Sequence, residues 1–194
     1  MRTPRAGSRA LRGTSDRLCS NLSNAGRRDE FSATWLLLRG GRLALPAQPD
    51  QAIEHAGRAL AYADATENDE FRLDALALLA RAHAARGEQD ASRTACDAFL
   101  GRWHTVGGMH HQTVALVETG VVLAADQRHP ELATALALLT TPSPWADAAR
   151  ALAEGRYEEA AAILDSIPSF PLRDATYELI RTVEPTHLSG KPQA

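Results

Sequence analysis

The sequence predicts an all-α protein of stacked helix pairs, and three observations carry that reading. Alanine fills 37 of 194 positions, while Phe, Trp and Tyr together make 5%. Alanine has the highest intrinsic helix propensity and lets helices approach closely, whereas the β-branched and aromatic residues favoured in sheets are scarce. Apolar residues recur at helical spacing from Phe31 to about Val183. Short polar, Gly- or Pro-containing breaks punctuate this pattern, which makes neighbouring helices antiparallel.

Residues 1–30 are polar, dotted with Gly and Ser, and without sustained period, so a disordered arm is expected there. A first helix over roughly 31–45 carries Trp35, Leu38 and Leu45, and Gly40-Gly41 should weaken it. After a break at Pro46 to Asp50, with Asp50 as N-cap, a second helix places Ile53, Ala56, Leu60 and Ala63 on one face. Asn68 caps a third helix, on which Leu73, Leu76, Ala80 and His83 align, and Gly87 ends it. A fourth carries Ala91, Ala95, Ala98 and Phe99. Gly101 to His111 reads as irregular.

Val114, Val117, Val121 and Ala125 then mark a fifth helix, and His129-Pro130 opens a sixth bearing Leu132, Ala135, Leu136 and Leu139. Ser143 as N-cap and Pro144 at N1 launch a seventh, with Trp145, Ala148, Ala149 and Leu152. Gly155 stops it. Tyr157, Ala160, Leu164 and Ile167 line an eighth, which Pro168 to Pro171 end. A ninth, roughly 172–183, offers Leu172, Ala175, Leu179 and Val183, and residues 185–194 form a loose tail. The expected organisation is thus a basic arm (1–30), a repeat domain (31–184) and a tail (185–194).

The net charge of −3 divides unevenly. Residues 1–30 hold seven Arg against three acids, and residues 31–194 hold 14 basic and 21 acidic residues. The arm's Arg2, Arg5, Arg9, Arg12 and Arg17 lack interleaved aromatics and any docking motif, so no specific nucleic-acid partner is expected. Cys19 and Cys96 stand far apart, with no disulfide or zinc spacing. The most apolar run, Val114 to Ala125, contains Glu118 and falls short of the ~20 residues a membrane helix needs. A cytoplasmic protein without membrane contact is the expectation.

The segment Gly155-Arg156-Tyr157-Glu158-Glu159-Ala160, followed by Leu164, resembles the second helix of a tetratricopeptide repeat. Ala160 and Leu164 match the family's small and large packing positions, and Ala95 with Phe99 matches them again, although alignment on Gly87 selects Ser92 and Cys96 instead. The Trp-Leu-Gly-Tyr pattern of the family's first helix is missing. The run from Pro144 to Glu184 also looks like the C-terminal end of actinobacterial multidomain signalling ATPases, many of them fused to a cyclase or a DNA-binding domain. These resemblances imply antiparallel helix pairs wound into a right-handed superhelix of about nine helices. They also imply a regulatory or signalling setting, either as a stand-alone homologue or as the distal fragment of a larger regulator.

No phosphate-binding glycine loop, dinucleotide-type glycine cluster, G-x-S-x-G or H-E-x-x-H motif occurs. His104, His110 and His111, with Cys96 and Met109 nearby, are the one concentration of metal-ligating residue types, but their spacing matches no metal motif, and a polar loop is the simpler reading. Glu158 and Glu159 are adjacent helical positions about 100° apart, so they do not converge on one substrate atom and instead suit a helix N-terminus. His83 reads as a core histidine, and Trp103, placed in the irregular stretch, as the tryptophan most exposed for contact.

The expectation is therefore a non-catalytic module without cofactor or metal, holding a protein or peptide partner, with a small-molecule effector as the alternative. Binding residues would come mostly from the first helix of each pair. Arg72, His83, Glu118 and Asp147 are the candidates there, with Trp103 beside them.

Overall fold

A computed structural model describes residues 27–108, 112–168 and 180. Among them are eight α-helices: α1 (Arg27–Ala44), α2 (Pro49–Ala65), α3 (Asp69–Ala85), α4 (Gln89–Val106), α5 (Thr113–Ala125), α6 (His129–Leu136), α7 (Pro144–Ala153) and α8 (Tyr157–Asp165). The fold is all-helical. Residues 1–26 of the arm expected over 1–30, the ninth helix and the tail fall outside the described residues, Ile180 apart, and residues 27–30 of that arm are helical.

Consecutive helices pack against one another, and the odd-numbered helices α1, α3, α5 and α7 also touch in succession. Each of α2, α4 and α6 lies against the odd helices before and after it, and α4 reaches α6. Two apolar clusters result. One lies among α1, α2 and α3; the other runs from α3 onward to α8 and Ile180. Helix α3 belongs to both, with Leu73, Leu76 and Ala80 facing one cluster and Phe71, Ala75, Leu78 and Ala82 the other. Helix α5 is buried almost all round, which is why its sequence is the most continuously apolar.

One turn design recurs between helices. Glu67, Gly87, Gly107 and Gln127 take left-handed φ values of 52°, 75°, 77° and 62° at twenty-residue intervals, and Gly155 does so at 70°. The N–H of the following residue then bonds back to the carbonyl five residues earlier. These bonds join Asn68 to Ala63, Glu88 to His83, Gly108 to Trp103, Arg128 to Leu123 and Arg156 to Ala151, at 2.8–3.0 Å. This closes the last helical carbonyls in the manner of a Schellman motif. Glycine is the comfortable residue at that position; Glu67 and Gln127 adopt it at a steric cost.

Several sequence expectations are corrected. Helix α1 begins at Arg27 rather than near Phe31, and it runs straight through Gly40-Gly41. A Cβ on Gly41 would lie 2.6 Å from Leu78 Cδ2 and 3.3 Å from His55 Cβ, and one on Gly40 would lie 3.4 Å from His55 Nδ1. These glycines give up helix propensity for a close approach of α1 to α2 and α3. Asp50 is not the N-cap of α2: Pro49 occupies the first turn after Gln48, and Asp50 adds negative charge there. Fully buried Ala52, Ala56, Ala59 and Ala63 form the inner face of α2, while Ile53 and Leu60 sit at its edge. The stretch expected to be irregular from Gly101 is helical to Val106, because the buried face of Cys96, Phe99 and Leu100 continues into Trp103. Asn68 and Ser143 do cap their helices, accepting hydrogen bonds from the Phe71 and Ala146 N–H groups at 3.1 Å.

Glu67 is exposed, so replacing it tests the turn without disturbing a core. Glu67→Gly relieves a left-handed strain of about 1–2 kcal/mol and gives back part of that as unfolded-chain entropy. Chemical denaturation is expected to show a net gain of about 0.5–1 kcal/mol.

Candidate functional site

The densest polar cluster among the described residues lies where α1, α3 and α5 meet. Glu118 projects from α5 into the interior with no solvent exposure. Arg42, near the end of α1, donates to it through Nε at 2.9 Å and 3.2 Å to its two carboxylate oxygens. Arg81 of α3 donates to the same carboxylate through Nη1 at 2.5 Å. Arg42 turns its Nη2 to Asp74 of α3, also at 2.5 Å. Two guanidiniums and two carboxylates thus balance in charge across three helices. Arg81 Nε is buried without a hydrogen-bond partner in the structure.

The electrostatics follow from burial and pairing. Burial acts to raise the Glu118 pKa, but Arg42 and Arg81 outweigh it and hold the carboxyl below the usual glutamate value. Burial likewise works against the charge on Arg42, yet Glu118 and Asp74 more than offset it, and that guanidinium is held more firmly protonated. For Arg81 burial wins over the single carboxylate it faces, and its pKa falls below the ordinary arginine value. A pair of this kind gains little over an apolar replacement of the same shape, but deleting one member is costly because it strands a buried charge. The cluster is therefore a helix-joining device, enclosed by protein.

A second set of ion pairs runs along the surface. Asp69 accepts two hydrogen bonds from Arg102 of α4, both 2.6 Å, and pairs with Arg72, which also reaches Asp64 at 2.8 Å. The Arg102 hydrogen bonds, with both arginine charges, lower the Asp69 pKa against a smaller opposing effect of burial. Arg128 bridges Asp97 of α4 and Glu131 of α6. Beside this bridge a shallow cleft of about 290 Å³ is lined by Asp97, Leu100, His104, Glu131 and Thr134.

The sequence candidates do not converge. Trp103, expected to be exposed, is fully buried in α4; it stacks on Phe99 at 5.6 Å and donates its indole N–H to the Ala135 carbonyl at 2.9 Å. Helical continuity through Gly101 is the reason for the difference. Glu118, proposed for a binding surface, is the buried centre of the ionic cluster, so it meets guanidiniums of its own chain rather than a partner. Arg72 is partly buried at the start of α3 and engaged by Asp64 and Asp69. His83 is partly exposed at the end of α3, 2.6 Å from a Glu88 carboxylate oxygen. Asp147 is exposed on α7, 2.6 Å from Arg150.

Of the potential metal ligands, Met109, His110 and His111 lie outside the described residues, and Cys96 is buried, its thiol pushed up to about 12 by burial. Among the described residues no group of three His, Cys, Asp or Glu is arranged to hold a metal ion. None of their helices is long and apolar enough to cross a membrane.

What sequence reading missed was the pairing of Arg42 and Arg81 with Glu118. The available signal was an acid in the middle of the most apolar helix, since a charge placed there needs partners. Glu118→Gln is expected to cost about 3–5 kcal/mol, measured by equilibrium denaturation at neutral pH. The sign of the pH effect is set by the depressed Glu118 pKa. Its stabilisation is complete above the unfolded glutamate value and fades as pH drops through the lower folded value, so the wild-type protein should lose it only below about pH 4.5. The Gln variant should lack that component of the acid transition. Comparisons with protein-family models, curated proteins and solved structures return no match.

Proposed function

We propose that this chain is a non-catalytic, tetratricopeptide-like interaction module that holds a protein or peptide partner along its helix stack in a regulatory or signalling role. The observation that carries the reading is the succession of contacts α1–α3–α5–α7, with even helices bridging between them. Stacks of this kind offer an extended surface built from equivalent positions on successive helices, and they bind by summing modest contacts along it. The strongest charges in the interior neutralise one another in the Arg42–Asp74–Arg81–Glu118 cluster. The contacts to a partner fall to surface groups, of which Arg72, His83 and Asp147 stand on odd-numbered helices.

A small-molecule effector is the second reading, supported by the cleft between α4 and α6. Its volume of about 290 Å³ lies at the small end of the range for ligand pockets, and Leu100 combines there with Asp97, His104, Glu131 and Thr134. The two readings part on one comparison. With the whole chain as immobilised bait, a protein partner should be captured, bind saturably on titration and be competed by free chain. Asp147→Arg should then weaken binding by about fivefold or more with unchanged melting temperature, as loss of an interface charge does. A metabolite panel that shifts the melting temperature saturably, with Thr134→Trp abolishing the shift, would favour the effector. Well-folded bait with no saturable protein partner would overturn the first reading.

A further inference from the structure

Three large apolar side chains are about half exposed among the described residues: Phe31 at 52%, Trp35 at 47% and Leu43 at 48%. All three lie on α1. With exposed Arg39 they stand at positions i, i+4, i+8 and i+12, which makes one continuous ridge along the helix. The Arg39 guanidinium lies over the Trp35 ring, 5.0 Å from its centre, and Phe31 packs in a tilted pair with Phe71 of α3, 4.7 Å between ring centres, while still half exposed. The outward face of α1 is thus aromatic and aliphatic where the other described helices turn charged and small residues to solvent.

We propose that this ridge is a self-association surface, on which α1 of one molecule packs antiparallel against α1 of a second copy. The order of residues along the ridge selects that occupant. A two-fold axis midway between Trp35 and Arg39 sets Phe31 against Leu43 of the second copy. It also sets Trp35 against Arg39 of the second copy, and both contacts occur twice. Each guanidinium then meets a second aromatic face, and each large apolar side chain meets another. Glu30 falls opposite Ala44, so no like charges oppose. Parallel pairing in the same register would set Arg39 against Arg39. A ridge of i±4n residues also interdigitates with a copy of itself in the commonest class of helix packing.

An isologous contact of this type closes at the dimer. One helix ridge lies at the small end of specific interfaces, so the dimer is concentration-dependent. The inference is independent of the partner-binding reading, because it uses none of the surface residues invoked there.

Sedimentation velocity on the full chain, from about 1 to about 300 μM, spans the range expected of a small interface. The expected result is a monomer passing to a dimer and no further. Trp35→Ala should weaken the dimer at least about tenfold, as loss of a central aromatic contact does. The register is tested by charge pairs. F31E and L43R should each be monomeric alone, and an equimolar mixture should dimerise again, since one acid–base contact and one native apolar contact face each other. These positions are half exposed, and circular dichroism with thermal melting verifies that each variant is folded. A chain that stays monomeric throughout would overturn the proposal. So would a dimer indifferent to Trp35→Ala, or variants whose mixture stays monomeric.

Discussion

The arrangement of the first three helix pairs depends on one buried carboxylate. Glu118 reaches from α5 to guanidiniums on α1 and α3, and these are the three odd-numbered helices whose mutual contact builds the first part of the stack. Hydrophobic contact between alanine-rich faces is weakly directional, since a methyl group buries little area and allows helices to slide. A charged, hydrogen-bonded contact across three helices has far fewer acceptable geometries. With Arg42 shared between Glu118 and Asp74, a shift of α1 along α3 would break one pair before improving the other. The cluster thus supplies register where the apolar surface supplies adhesion.

Close approach is the second constraint, and it explains the small residues. Gly41 admits Leu78 and His55 beneath α1, and Gly120 on α5 leaves room for Leu132, whose Cδ2 would lie 2.9 Å from an added Cβ. On α2 the inner face is alanine apart from His55. These choices shorten interhelical distances enough for the side chains of Arg42 and Arg81 to span to Glu118. Packing and electrostatics are therefore linked: the helices must be near for the ion cluster to close, and an open cluster would leave charge stranded in the core.

The surface shows the opposite economy. Most of its arginines are bound to acids of neighbouring turns and helices, as in Asp69 with Arg72 and Arg102 or Arg128 with Asp97 and Glu131. Exposed pairs of this type contribute little stability each, but they bridge helices that share few large apolar side chains. Burial is more complete in the middle of the chain, where α5 is enclosed, than on α1, whose outward ridge keeps Phe31, Trp35 and Leu43 half in solvent.

Helix content, the succession of helices and most of the buried stripe on α3, α6 and α7 were legible in the sequence, because apolar spacing and Gly, Ser-Pro and Asn stop and start signals act locally. Ser92 and Cys96 are buried together with Ala95 and Phe99, so the two ways of phasing the fourth helix both describe part of one broad inner face. Asn68 and His129-Pro130 marked the breaks after α2 and α5, although Glu67 and Gln127 rather than glycine hold the left-handed turn there. Gly40-Gly41 read as a weak point in a helix, whereas a neighbouring helix gives those glycines their use. Trp103 and Glu118 looked like surface candidates, since their types favour contacts and polar exposure. Their burial depends on α6 offering the Ala135 carbonyl and on α1 and α3 offering two guanidiniums. Sequence alone determined that the chain is helical and where most helices start and stop, because those signals act within a turn or two of each residue; the run from Gly101 to Val106 is helical because Trp103 extends a buried face. Tertiary structure alone decided which polar groups are enclosed, because their partners stand 32, 37 and 76 positions away.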